Sequence, residues 1–401
     1  MKNINKRKKN VLLIVETSRS FGRGILQGIS QYILEHDHWN IHVEDRGLLE
    51  SAPSWLKNWT GDGIISRTSS FAIARAIQRF NVPIVELYGN NKQIVPDIRC
   101  DEDQITKDVV DHLASLGFKN FAFFAIGNTC WSQFRIEAFH REVAMRNGNI
   151  HIFPLAGKGP RIFYPVWEMK YTKIVQRWLE SLPKPIAIWS LSDTLAIRVL
   201  EGCHRANIHV PEEVAIIGTL NDPVLCNVMT PALSSIDLNS PQMGYLAAKR
   251  LDKKMNGILP EPAQVMVAPI GVVPRQSTNI VAIPDKVVAE VVRLIRQNAS
   301  GDITVEQISN IVDISRSSLQ RRFRKYIGRT IEKEILHTRM ERAKLLLRET
   351  RLSLPTIAYR VGFSSSDYFI QAFRRETGMT PNSYRKQTFF QPDENADKTD
   401  F

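Results

Sequence analysis

Two stretches of the chain carry one pattern. The first is Ile308-Ser-Asn-Ile-Val312-Asp-Ile314-Ser-Arg-Ser-Ser-Leu319, followed by Phe323. The second is Ile357-Ala-Tyr-Arg-Val361-Gly-Phe363-Ser-Ser-Ser-Asp-Tyr-Phe369, followed by Phe373. Ile308, Val312, Ile314 and Ser315 each match a residue 49 positions on, whereas Leu319 and Phe323 match residues 50 positions on. The second copy therefore holds one extra residue near the start of its second helix. Apolar residues four apart share one face of a helix. Each copy reads as a short helix, a tight turn and a second helix, seated on the first through Leu319 and Phe323 or through Phe369 and Phe373. Gly362 marks the second turn, because glycine takes positive φ without steric cost. The serines that follow offer N-caps. The polar face of each second helix stays free, and in a helix-turn-helix that face enters the major groove of DNA.

The spacing alone would suit many helical domains; charge favours nucleic acid. Residues 285–388 hold 20 Lys+Arg against 11 Asp+Glu, a net +9. Arg316, Arg321, Arg322, Arg324 and Lys325 lie on the second helix of the first copy, and Arg374 and Arg375 end that of the other. Positive charge gathered on particular helices is an electrostatic footprint for phosphate. The first ten residues add +5, residues 11–284 balance 27 basic against 26 acidic groups, and the last thirteen carry −3. The chain of 401 residues fits two or three domains, of which the larger body is neutral.

Several function classes recede. No apolar run approaches the roughly 18 residues needed to span a bilayer, and Val11–Val15 is too short for a signal-peptide core. A cytoplasmic protein is expected. Cys100, Cys130, Cys203 and Cys226 are far apart with no CxxC, which suits buried thiols and no metal site. GxGxxG, P-loop, GxSxG and HExxH patterns are absent, so neither an enzyme nor a cofactor is expected.

Residues 11–275 alternate between two kinds of segment. Short apolar runs predict strands over 11–15, 40–44, 61–66, 82–87, 121–126, 151–155, 186–189, 214–218 and, closing the body, 264–268. Helical spacing covers 24–35, 71–80, 101–116, 131–146, 171–182, 193–206 and 241–256, with Trp55, Leu56 and Trp59 in a further helix. Such alternation predicts parallel sheets covered by helices. Two cycles, with a return near residue 240, predict two lobes and a cleft. Ligands of open α/β sheets bind outside the carboxyl ends of the strands. The candidates there are Ser18, Arg19, Phe21, Arg23, Asp101, Trp131, Arg135, Asp193, Asn221 and Asp222. Arginines and carboxylates make charge-assisted bonds to hydroxyl-rich ligands, and an aromatic ring covers an apolar C–H face. Simpler roles compete: core packing for Trp131, an N-cap for Asp193, an inter-lobe salt bridge for Arg23.

The helical segment resembles the DNA-binding domain of the AraC/XylS family of transcription regulators. The resemblance rests on residues 314–323, Arg339-Met-Glu-Arg-Ala343-Lys-Leu-Leu-Leu347, Ile357-Ala358, Val361-Gly362-Phe363, Tyr368-Phe369, Phe373-Arg374 and Gly378-Met-Thr380-Pro381-Asn-Ser-Tyr384-Arg385. It implies two helix-turn-helix units, about 304–325 and 353–375, joined by a long helix from about Ile331 to Glu349. It also implies base contacts from Ser317, Gln320 and Arg321 and from Ser366, Asp367 and Gln371. Arg316, Arg324, Arg374 and Arg375 are better placed for phosphates.

The body resembles the periplasmic-binding-protein-like ligand domain of LacI-type repressors, through Arg23-Gly24-Ile-Leu-Gln-Gly28, Gly61-Asp-Gly63, Val82-Pro83, His112 with Gly117-Phe118, residues 211–218, Gln242-Met-Gly244 and Val273-Pro-Arg275. It implies that Arg135 and Asp193 hold the ligand and that Asp101 matches a family acidic position. Leu220 departs from the family's Gly-x-Asp-Asn-Asp, where a carboxylate stands near the ligand. The expected architecture is an α/β two-lobed periplasmic-binding-protein-like domain over 10–277, a linker over 278–285, an all-α double helix-turn-helix domain over 286–388 and a disordered tail over 389–401. The partners implied are operator DNA, a small sugar such as xylose, a second copy of the chain and RNA polymerase. A sugar-binding transport protein is the rival class, but it has no use for the basic helices.

Overall fold

A computed structural model describes residues 7–36, 39–47, 51–67, 71–87, 96–126, 130–153, 169–260, 262–280, 283, 285–298, 301 and 303–388. The chain divides into two compact units, Met1–Ala282 and Ile283–Phe401. Trp131 lies in the first turn of a helix but its side chain lies outside the described residues, as do Pro284 and the tail expected at 389–401.

The first unit opens with β1 (Lys9–Ile14), α1 (Ser20–His36), β2 (Trp39–Val43), a 3-10 turn over Ser54–Asn58, β3 (Gly63–Ser66), α2 (Phe71–Ile77), β4 (Ile84–Glu86) and β5 (Ile98–Cys100). It continues through α3 (Glu102–Ser115), β6 (Asn120–Phe124), α4 (Cys130–Met145), β7 (Asn149–Ile152), α5 (Met169–Ser181), β8 (Ile186–Ser190), α6 (Asp193–Arg205), β9 (Val214–Thr219), α7 (Pro223–Val228) and β10 (Ser234–Asp237). Last come α8 (Ser240–Met255), β11 (Val265–Val267), β12 (Gly271–Val273) and a 3-10 turn over Gln276–Thr278. One lobe holds the sheet β2-β1-β3-β4, with β5 and β11 paired beyond it and a bridge from Leu87 to Ile98 between them. The other holds β12-β10-β9-β8-β6-β7. The central strands β1, β3, β8 and β9 are apolar and almost wholly buried, which is stable only with helices on both faces.

Three details differ from expectation. The body does not close on 264–268, since β12 follows and pairs with β10 antiparallel, so the second sheet is mixed. The segment around Trp55 is a 3-10 turn, too short for an α-helix. And β5, α7, β10 and β12 were not anticipated; β5 and β10 carry polar or charged residues (Arg99; Ser234, Ser235 and Asp237) that break the apolar runs by which strands were sought.

The chain crosses between lobes after β5, after β10 and between β11 and β12. At the second crossing Asn239 takes a left-handed conformation, φ 60°, and α8 returns to lie along α1. Two glycines permit that approach. A Cβ on Gly28 would fall 1.8 Å from the Pro241 carbonyl oxygen, and one on Gly244 would fall 1.9 Å from that of Ile25.

The second unit is helical: α9 (Lys286–Asn298), α10 (Val305–Ile311), α11 (Arg316–Ile327), α12 (Ile331–Glu349), α13 (Leu354–Arg360), α14 (Ser366–Thr377) and α15 (Pro381–Thr388). The internal repeat is written in the backbone. Asp313 and Gly362 turn left-handed between the paired helices, with φ of 52° and 88°. Gly328 and Gly378 do so at the ends of α11 and α14, with φ of 79° and 78°. The extra residue of the second copy lies in the turn, for the helices start 50 apart, after Ser315 and Ser365. Ser365 caps its helix by accepting from the Tyr368 N–H at 3.5 Å; Ser315 makes no side-chain cap bond. The packing face is the expected one, with Ile308, Leu319, Phe323, Ile357, Val361, Phe369 and Phe373 fully buried.

Candidate effector cleft and nucleic-acid interface

At the carboxyl ends of the first lobe's strands, Arg67 follows β3 and forms a buried ion pair with Glu16, which follows β1. The Arg67 guanidinium also lies 4.7 Å over the ring of Phe21, a buried residue at the start of α1. Arg19 stands beside them. Burial and the neighbouring charge of Arg67 lower its pKa to about 10, with Glu16 opposing the shift. Arg23 is half exposed, donates to the Thr17 carbonyl at 2.9 Å and stands 3.8 Å from Asp222 of the other lobe.

The second lobe places its candidates in a bonded network. Arg135 on α4 is 2% exposed and clamped in two-pronged fashion by Glu102, at 2.7 and 3.0 Å. Its guanidinium lies 5.6 Å from the ring of Trp189. Asp101, the residue before, caps α3 by accepting from the Gln104 N–H at 3.0 Å.

Asp193 is not the N-cap of α6; Ser192 holds that place, accepting from the Leu195 N–H. The buried Asp193 carboxylate instead accepts from the Ser235 hydroxyl at 2.5 Å and from the Asp222 N–H at 2.8 Å. Gly218 makes room for it, since a Cβ there would fall 2.2 Å from Asp193 Oδ1. Burial pushes the Asp193 pKa up to about 7 against those two hydrogen bonds and the field of Arg275.

Asn221 donates to Asp237 at 3.1 Å and accepts from Arg275 at 2.8 Å. Asp222 caps α7 through the N–H groups of Val224 and Leu225. Ser18 is exposed in the loop before α1. Leu220, where a carboxylate was expected, is partly buried with φ 102°.

Sequence reasoning missed Glu16, Arg67, Glu102, Ser235 and Arg275. The rule that selects residues after strands reaches Arg67, which directly follows Ser66. Arg275 follows β12, a strand that was itself missed.

In the helical unit, Ser317, Arg321, Arg316 and Arg324 are exposed on α11, with Gln320 partly so. On α14, Asp367, Gln371, Arg374 and Arg375 are exposed and Ser366 is partly so. Apolar burial on one side of each helix thus leaves these polar residues on the other. Arg322 is diverted: it binds Asp285, whose other oxygen caps α9 through the Val287 and Val288 N–H groups. The equivalent residue 50 positions on is the buried Ala372. Gln320 donates to both carboxylate oxygens of Glu332, at 2.9 and 3.0 Å, and Arg316 stands 3.7 Å from the same carboxylate. Among the described residues no helix is long and apolar enough to cross a membrane.

Three family models match successive parts of the chain: an XylR N-terminal domain over residues 10–99, a periplasmic binding protein-like domain over 110–278 and a helix-turn-helix domain over 308–387. The chain is 28% identical over 390 residues to the xylose operon regulatory protein of Escherichia coli (strain K12), covering 94% of this chain and 97% of that protein. It is 29% identical over 384 residues to the protein of the same name from Haemophilus influenzae, with the same coverage of each chain. Its structure is similar to that of the xylose-binding transcription activator XylR, with a TM-score of 0.77, 27% identity and coverage of 96% of this chain and 100% of that one.

Proposed function

We propose that this chain, an XylR-like transcription regulator in which a periplasmic-binding-protein-like domain precedes an AraC-type helix-turn-helix domain, controls sugar-catabolism genes in response to a small carbohydrate. The chain is a regulator and not an enzyme. Its relatives' names make xylose the first effector to try. The observation that carries the reading is the twice-repeated arrangement of α11 and α14, each with its aromatic or leucine side buried and a polar, arginine-bearing side exposed.

In this reading Ser317, Gln320, Arg321, Ser366, Asp367 and Gln371 meet base edges, and Arg316, Arg324, Arg374 and Arg375 meet phosphates. Helix α12 spaces the two units. Its 19 residues make it about 28 Å long, close to the ~34 Å repeat of successive major-groove faces. The effector sits in the cleft between the lobes of the first unit, among Arg19, Phe21, Arg23, Asp101, Trp131, Arg135, Asp193, Asn221 and Asp222. By binding the closed form more tightly it shifts the population of lobe arrangements. A cytoplasmic homodimer then meets its operator differently and engages RNA polymerase. A second reading keeps the DNA-binding half and changes the ligand. Leu220 favours it, because an apolar side chain cannot answer a sugar hydroxyl.

The test is operator affinity, measured on the chain's own upstream DNA with and without pentoses, hexoses and sugar acids. One compound is expected to change the affinity. Identical affinity across the panel would leave a DNA binder without a sugar effector.

A further inference from the structure

Arg316 and Gln320 stand four residues apart on α11 and so share a face. Both turn toward one side chain of the next helix, Glu332 in the first turn of α12. The start of α12 is fixed by the Thr330 cap and by Ile331, which is fully buried. Glu332 itself is half exposed. Its two oxygens take the Nε2 hydrogens of Gln320 at 2.9 and 3.0 Å, so the Gln320 amide nitrogen is spent on Glu332 and its Oε1 remains to accept.

That orientation changes what Gln320 can read. A glutamine that reads adenine by two bonds must donate to N7 and accept from the N6 amino group. With Nε2 held, only acceptance is left. The matching base-edge groups are amino donors, N4–H of cytosine or N6–H of adenine.

The fold does not require this carboxylate. Fifty positions on, Thr380, Pro381 and Asn382 make the same entry into α15, with Thr380 accepting from the Ser383 N–H. Asn382 is exposed there, and among the described residues its side chain makes no hydrogen bond to α14. The arrangement belongs to the first unit alone.

We propose that Glu332 is a specificity-determining positioning residue: by holding the amide nitrogen of Gln320, it makes the first reading helix select a base with an exposed amino group, cytosine or adenine, rather than adenine alone. This rests on α11 being a DNA-reading helix. The experiment is selection of random duplex DNA by the full-length chain and by Glu332→Ala, Glu332→Gln and Gln320→Ala. The wild-type chain should enrich a motif in which one position takes cytosine or adenine. Glu332→Ala should lower the cytosine-to-adenine ratio there on the order of tenfold, within the range that one bidentate contact discriminates. Glu332→Gln retains one accepting oxygen, enough to hold one of the two Nε2 hydrogens, and should give a ratio between those of the wild type and Glu332→Ala. Gln320→Ala should level that position and leave the others unchanged.

An unchanged ratio in Glu332→Ala overturns the inference. So does tighter binding of all sequences alike, the mark of a carboxylate that merely repels phosphate. A Glu332→Gln ratio as low as that of Glu332→Ala, or a motif indifferent to Gln320→Ala, also overturns it. Failure of the wild-type chain to enrich any motif removes the DNA-reading assignment beneath it.

Discussion

Arg322 of α11 binds Asp285, the residue that caps α9, and this pair ties down one of the five basic residues of that helix. By charge alone the run from Arg321 to Lys325 looks uniform. Along the helix, Arg322 stands where the other copy buries Ala372, and its guanidinium turns to Asp285 at the start of α9 while the side chain stays partly open to solvent.

Arg321 and Arg322 should therefore behave differently when replaced by alanine. Arg321→Ala is expected to melt like the wild type and to cost about 1–3 kcal/mol of discrimination at one base pair. Arg322→Ala is expected to lower the melting temperature of the helical unit while base preference stays the same. Burial works to raise the Asp285 pKa, and the hydrogen bond and charge of Arg322 together with the Val288 and Val287 N–H bonds outweigh it, holding the carboxyl below its usual range. Thermal melts paired with binding to a base-scanned operator set distinguish the two. A change of base preference in Arg322→Ala would refute the division.

The two turns should respond in opposite directions. Gly362 has φ 88°, where an L side chain costs roughly 1–2 kcal/mol. Gly362→Ala should destabilise the chain by about that amount. Asp313 already bears the left-handed conformation, with φ 52°. Asp313→Gly should be neutral or stabilising by less than about 1 kcal/mol, since aspartate tolerates the conformation and glycine adds unfolded-state entropy. Urea midpoints of both variants test this; equal losses would mean that the turns are not equivalent.

Asp193 should make the sensor unit less stable as pH rises. Its pKa in the fold is about 7, against about 4 for an unfolded aspartate. Between these values the unfolded chain has lost a proton that the folded chain keeps. The contribution is fully present below about pH 4, falls as pH rises towards 7, and is flat above that. Asp193→Asn should remove this slope. Urea denaturation at pH 5 and pH 8 reads it directly, as the difference between wild type and variant at the two values. A difference that does not change with pH would place the carboxyl in an ordinary polar setting.

Phosphate contacts should appear in the salt dependence. Arg374→Ala or Arg324→Ala should weaken binding to all sequences alike and reduce the slope of log affinity against log salt by about 1. A loss confined to one base pair would instead move that arginine to the base-contacting set.

Much of the fold was legible before any coordinates. The family resemblance implied a long helix from about Ile331 to Glu349, and α12 has that span. The buried strands Val11–Val15 and Val214–Gly218 were equally plain. What escaped was short or marginal, such as β12 at three residues. The candidate cleft was half legible. The rule that ligands gather after strands led to Arg23 and Asp222, and these two meet across the lobes at 3.8 Å. It gave no hint that Arg135 is clamped by Glu102 or that Asp193 leaves its helix to Ser192.

Sequence by itself determined the tandem hairpins, the alternation of strand and helix, and the basic character of the helical half. Each follows from periodicity or composition, which act over a few neighbouring residues and show in a single pass along the chain. Tertiary structure alone decided the partners of the charged and amide groups: Asp285 for Arg322, Glu332 for Gln320, Ser235 for Asp193. Those pairs lie 12 to 42 residues apart. A hydrogen bond reaches only about 3 Å, so the partner is set by where the folded chain brings it, and no local pattern records that.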